Sequence, residues 1–249
     1  MSAIVLCALG LADRDSLAAG ESEFLAGKSK SCPNCSLPRA PLKRKDLTDA
    51  DLTGANLAGA VLHRAKLFRA KLSGADLTNA NLNKTDLKSA SLMEAKLNGA
   101  MFYESDLTAA NLSGADLSDG KMGRARLVRA ILDRARISEA VLTEARLDEA
   151  SLRGADLSAT NLVNATLRGA NLEGADLNNA GLVEAVLRDA NLKGANLSEA
   201  DLFGADLTGA NLAGADLSDA RLTRAILTGA NLSGAKLSGT LMPDGTVHE

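Results

Sequence analysis

Ala70-Lys71-Leu72-Ser73-Gly74 is followed by Ala75-Asp76-Leu77-Thr78-Asn79 and then by Ala80-Asn81-Leu82, and the same five-residue unit runs from Ala40 to Gly239 without an insertion or deletion. Its commonest form is Ala-(Asp/Asn)-Leu-(Ser/Thr)-Gly. Forty units fill 200 residues, and the third place holds Leu in 37 of them; Phe102, Met122 and Ile137 are the exceptions. The first place holds Ala in 35, with Lys45, Thr85, Ser105, Gly120 and Thr160 as exceptions. Self-similarity at one unbroken phase signals a stacked, quasi-one-dimensional repeat architecture.

A period of five matches neither the 3.6-residue period of a helix nor the two-residue period of a strand. On a helix the leucines would wind round every side. In an extended segment, Ala and Leu stand two apart and point the same way, while the residue between them points out. The remaining two residues must then turn the chain so that the next Ala-x-Leu faces inward. Gly at the fifth place suits that corner, because it accepts positive φ without a Cβ clash.

A second period fixes the number of corners. Gly fills the fifth place at 54, 74, 114, 154, 174, 194, 214 and 234, and only Glu94 and Arg134 interrupt that column. Ten residues away stands a charged column: Arg44, Arg64, Lys84, Glu104, Arg124, Glu144, Glu184 and Arg224. A superposed period of 20 means four sides to a coil, so 200 residues make about ten coils. At ~4.8 Å per backbone-paired layer the rod is roughly 48 Å long. The expected fold is an all-β, quadrilateral β-helix over 40–239, with a short helical or irregular N-terminal cap.

These units resemble the pentapeptide-repeat proteins, whose consensus is A-(D/N)-L-x-x, over about four-fifths of the chain. The resemblance implies right-handed winding and non-catalytic roles. It also implies one specific alternative, because the best understood members bind DNA gyrase as mimics of duplex DNA.

The ends read differently. Residues 1–39 form an N-terminal segment. Its first twelve residues are apolar and too few to span a membrane as a helix. They read as the h-region of a secretory signal ending at Gly10-Leu11-Ala12, which lacks a basic n-region; the alternative is a cytoplasmic segment packed on the rod. Export or a periplasmic setting is favoured over the cytoplasm. Residues 13–27 read as a short helix with cap candidates Asp13, Asp15 and Ser16, a stop at Gly27, and Leu17, Phe24 and Leu25 on one face. It is expected to act as a lid over the first coil. Pro38, Pro41 and the run Lys43-Arg44-Lys45 predict an irregular entry, with the regular coil starting near Ala50. Residues 240–249 read as a C-terminal cap, with a turn at Pro243-Asp244-Gly245 and Thr246-Val247-His248 folding back.

Cys32-Pro33-Asn34-Cys35 admits several readings. A redox motif needs a βαβ setting, which is absent, and a zinc site needs four ligands, whereas His63 and His248 are the only histidines. A local Cys32–Cys35 disulfide, or two reduced thiols in an entry turn, remains. No Ser-His-Asp or Cys-His set can be assembled and no phosphate loop appears. The carboxylates fall in columns such as Asp156, Asp176 and Asp216, where corner amides or ladders between coils can use them. Neither a catalytic residue nor a cofactor or metal site is therefore assigned.

Function then falls to the exterior. Aromatics make up only 2% of residues, too few for an ordinary globular core but enough for a Leu/Ala column. The net charge is −3, so nothing in the total points to nucleic acid as a partner. Residues 40–139 carry 16 basic and 12 acidic side chains, net +4, and residues 140–239 carry 8 and 13, net −5. Basic clusters fall at His63, Arg64, Lys66, Arg69, Lys71, Lys84 and Lys88, with Phe68 among them, and at Lys121, Arg124, Arg126, Arg129, Arg134 and Arg136. Acids interleave both, so they read as solvated faces. On the side centred on Leu42, Leu62 and Leu82, outward apolar residues recur: Val61, Met101 and Val141 before the leucine, and Tyr103, Val163, Val183 and Phe203 after it. Stacked apolar residues mark an interface, for a protein partner or a homodimer, or else pack only on one another. Three functions compete: a protein-binding scaffold, a gyrase-binding DNA mimic, and a thiol oxidoreductase centred on Cys32 and Cys35.

Overall fold

The structure, a computed structural model, describes residues 19–249. The signal-like run at 1–12 and the cap candidates Asp13, Asp15, Ser16 and Leu17 lie outside the described residues. From Ser31 the backbone is layered. Its parallel bridges each join a residue to the one twenty positions on, from Ser31↔Asp51 to Arg221↔Leu241. A turn falls within every five residues, so each layer has four sides. Their inward leucine seats are Leu42 (first side), Leu47 (second), Leu52 (third) and Leu57 (fourth), repeating every twenty residues. The chain is a four-sided β-helix.

The repeat follows from a complete accounting of backbone amides. In the unit 56–60, Asn56 N–H donates back to the Cys35 carbonyl at 2.8 Å. Leu57 and Gly59 N–H donate forward to Asp76 and Thr78, and Ala60 N–H closes the turn on Leu57. The fifth amide, that of Ala58, has no carbonyl within reach and donates instead to Asn56 Oδ1 at 3.1 Å. An Asp or Asn in the second place supplies this acceptor from its own side chain, an Asx turn. The fifth place lies at positive φ, +66° at Gly59 and +58° at Arg134, as the third residue of a type II turn requires.

The core is one column of Leu and Ala, with Phe102, Met122 and Ile137 fully buried in leucine seats. Four hydroxyls occupy alanine seats, and each donates to a carbonyl 23 residues back: Thr85 to Leu62, Ser105 to Leu82, Thr160 to Ile137 and Thr240 to Leu217. That bond lets a polar side chain into a sealed core. Gly120 also occupies an alanine seat. A Cβ there would stand 2.8 Å from its own turn's Leu117 carbonyl, so backbone approach excludes the side chain.

The expected coil start near Ala50 is corrected. Ser31↔Asp51 and Ser36↔Asn56 already pair in register, so the layers include residues placed in the N-terminal segment by the sequence. Cys32 and Leu37 take leucine seats and Cys35 an alanine seat, because a cysteine is small and apolar enough for either. Before them lies α1, Ala19–Leu25. It ends in a Schellman motif: Gly27 has φ +73°, Lys28 N–H donates to Glu23 and Gly27 N–H to Phe24. Helix α1 substitutes for the missing preceding coil. Phe24 is 2% exposed on the end of the core. Ser36 N–H, which would otherwise meet a carbonyl one layer down, donates to Glu21 Oε1 at 2.7 Å. Lys45, the cation in an alanine seat, is half-buried and donates from Nζ to the Leu25 carbonyl at 3.3 Å. The core is not sealed at that corner, which is why a lysine is tolerated.

At the other end the tail pairs antiparallel with the first side only, through Leu241↔Val247 and His248 N–H to Thr240. On the remaining sides Leu227, Leu232 and Leu237 stay half-buried.

Candidate interaction surface

The outward residues stand in the inter-layer bridges or on the corners, so their spacing is that of the layers. The two basic clusters are largely neutralised by acids one layer away. Arg69 reaches Asp49 through two bonds at 2.7 and 2.8 Å, Lys84 reaches Glu104 at 3.1 Å and Arg124 reaches Glu144 at 2.9 Å. Such exposed pairs add little stability. Around His63 the charge stays positive. Desolvation, then Arg64 and Lys43, push its pKa below the usual value.

The acidic columns serve the backbone first. Asp216 accepts from Ser218 Oγ at 2.7 Å and Ser218 N–H at 3.1 Å, and pairs with Lys236 at 2.9 Å. Hydrogen bonding by Ser218, then Lys236, lowers its pKa to about 2. Asp46, Asp51 and Asp244 are lowered in the same way by Thr48, Thr53 and Thr246. A depressed folded pKa gives stability that is fully present above the ordinary carboxylate value, ~3.9, and is lost as pH falls through the folded value. The thermal midpoint is therefore expected to hold down to about pH 4 and to drop towards pH 2. Asp216→Asn, which keeps the Oδ1 acceptor as Asn196 does, should make that drop shallower in a melting series from pH 7 to 2. An unchanged acid limb would show that this carboxylate carries none of it.

The apolar residues of the first side fall into two groups. Tyr103 and Val141 are each 40% exposed. The Tyr103 ring lies beside Gly123, whose absent Cβ would stand 3.6 Å from it, and its hydroxyl accepts from Arg124 at 3.2 Å. Val163, Val183 and Phe203 stack in three successive layers but are half-buried. The Phe203 ring lies under two guanidinium groups, Arg221 at 4.5 Å and Arg224 at 5.4 Å from its centroid. Sequence reasoning missed this cover, although Arg221 and Arg224 stand about one coil on. It also passed over Met93 and Ile131 on the third side and Ile226 on the second, all exposed.

Cys32 and Cys35 are joined as a disulfide across the first described corner, with Cα atoms 5.4 Å apart. Among the described residues no group of three or more His, Cys, Asp or Glu side chains is placed to hold a metal, and no helix is long and apolar enough to cross a membrane.

The protein-family profile described as Pentapeptide repeats matches in eight copies between residues 46 and 242. The chain therefore belongs to the pentapeptide-repeat family. Among solved structures it is 34% identical to HetL, a pentapeptide repeat protein involved in heterocyst differentiation regulation from the cyanobacterium Nostoc sp. strain PCC 7120, over 93% of this chain and 100% of that one, with a TM-score of 0.44. Rfr23 from the cyanobacterium Cyanothece 51142 is 38% identical over 44% of this chain and 64% of its own, with a TM-score of 0.30. A trypsin-treated QnrB1 variant, a plasmid-mediated fluoroquinolone resistance protein, is 22% identical over 73% and 90%, with a TM-score of 0.46. Comparison with curated proteins gives no match.

Proposed function

We propose that this protein is a non-enzymatic scaffold, a right-handed rod of about ten coils that binds protein through its sides. The observation that carries this reading is the filled core. Leu and Ala occupy the inward seats at close to zero exposure along the rod, which leaves chemistry and recognition to convex outer columns. The first side, with Tyr103, Val141, Val163, Val183 and Phe203, is the contact for a partner or for a second copy. The Cys32–Cys35 disulfide is of a kind that persists in oxidising compartments and supports export. Val183→Lys combined with Phe203→Glu tests the contact. The carboxylate introduced at position 203 would stand beside Arg221 and Arg224, so the fold is expected to survive, while the sedimentation mass falls or a cross-linked partner is lost. A wild-type monomer whose partners all remain with the double variant would end this reading.

A second reading, a gyrase-binding mimic of DNA, is favoured by the fourth side. There Asp116, Asp156, Asp176 and Asp216 share one seat, and Asp156 and Asp176 have no cation partner among the described residues. The net +4 of residues 40–139 opposes it, because a duplex mimic needs phosphate-like charge along its length. Added protein is expected to leave gyrase supercoiling unchanged; inhibition at micromolar levels would reverse the ranking.

A further inference from the structure

The third corner holds a trough of about 500 Å³ running along the rod axis from Met93 to Glu173. It exists because this is the glycine corner. Gly114 and Gly154 leave its floor bare, and the two side chains that interrupt the glycine column between Gly54 and Gly234, Glu94 and Arg134, stand in it. They lie two layers apart, roughly 10 Å at the layer spacing. Glu94 leans along the corner towards Arg134, its Cγ 3.5 Å from the place a Cβ on Gly114 would take.

The other charges of the trough are engaged. Asp133 accepts from Ser151 Oγ and from Arg153 N–H, and Arg153 pairs with Glu173 at 3.8 Å. Glu94 and Arg134 make no ion pair or side-chain hydrogen bond, either with each other or with any other described residue. The diagonally opposite charged corner behaves differently, since Lys84 with Glu104 and Arg124 with Glu144 close into pairs one layer apart. A carboxylate and a guanidinium are thus held apart over a glycine floor, with the exposed Met93 at one end.

We infer that this trough binds an extended peptide segment of a protein partner, one that carries a basic and an acidic side chain about three residues apart. In the polyproline II form of an extended chain, residues three apart point the same way and stand ~9 Å from each other, which matches the distance between the two charges. The basic group meets Glu94, the acidic group meets Arg134, and the peptide backbone passes over Gly114, where any side chain would obstruct it. The inference builds on the scaffold reading but concerns a different face. The first-side double variant should leave peptide binding intact, so either idea can fail without the other.

The test uses the full chain and three blocked hexapeptides, acetyl-Gly-Lys-Ala-Ser-Glu-Gly-amide and its Lys/Lys and Glu/Glu counterparts, titrated at low salt by amide chemical shift. The wild type is expected to bind the mixed peptide about tenfold more tightly than either like-charged one. Glu94→Lys should shift the preference to the Glu/Glu peptide and Arg134→Glu to the Lys/Lys peptide, with melting temperatures unchanged. Absence of binding, the same order of preference in all three proteins, or shifts confined to amides outside residues 93–173 would overturn the inference.

Discussion

Leu157→Asp is expected to unfold the middle of the rod, whereas Asn161→Asp should leave it intact. Leu157 has no exposed surface and is enclosed by Leu and Ala, so an aspartate there would be a buried charge without a partner. The expected loss is more than about 4 kcal/mol. Asn161 is exposed, and its one structural duty is to accept the Val163 amide at 3.1 Å through Oδ1. A carboxylate performs that duty equally well, so its change should stay within about 0.5 kcal/mol. Because each coil touches only its neighbours, the Leu157 variant should also be cleaved by a protease near residue 157 into two resistant halves. Equal thermal stability of the two variants would contradict the assignment of inward and outward seats.

Phe24→Ala should have the second largest effect, confined to one end. The ring is 2% exposed and covers the apolar end of the first coil. Its truncation should cost about 3–5 kcal/mol of local stability. It would detach α1 and free the Glu21 and Lys45 contacts with Ser36 and Leu25. The uncovered edge then offers unpaired amides and apolar side chains to another copy. Hydrogen exchange should accelerate at residues 31–50 and not beyond residue 100, and the variant should associate in a concentration-dependent way. Protection unchanged at 31–50 would mean that α1 does not act as a cap.

The difference in legibility between the rod and its surface has a physical basis. Inward seats are dictated by exclusion from water along the whole length, so Leu, Ala and the period of five announce them without any structure. The glycine column announced the four corners for the same reason, since positive φ selects residues locally. The entry was misplaced because Cys32 and Cys35 fill Leu and Ala seats under another name, and because Lys45 looked forbidden until the Leu25 carbonyl was seen beside it. The surface depends on contacts between residues about twenty apart, as where Arg221 and Arg224 lie over Phe203. Such contacts turn on rotamers of long side chains, which leave no periodic trace. Glu94 and Arg134 were visible as interruptions of a column, but the trough around them was not.

The step of twenty between paired residues separates two kinds of heredity in this molecule. Excising twenty residues would shorten the rod by one storey and leave every column of both faces and core aligned. Excising five would still return every Leu to the interior, because the core accepts any unit on any side. Everything downstream, however, would be turned by a quarter revolution, bringing a new flank of the upper rod above the old flank of the lower. The lineage of such a chain can thus rearrange what it displays without disturbing what holds it up.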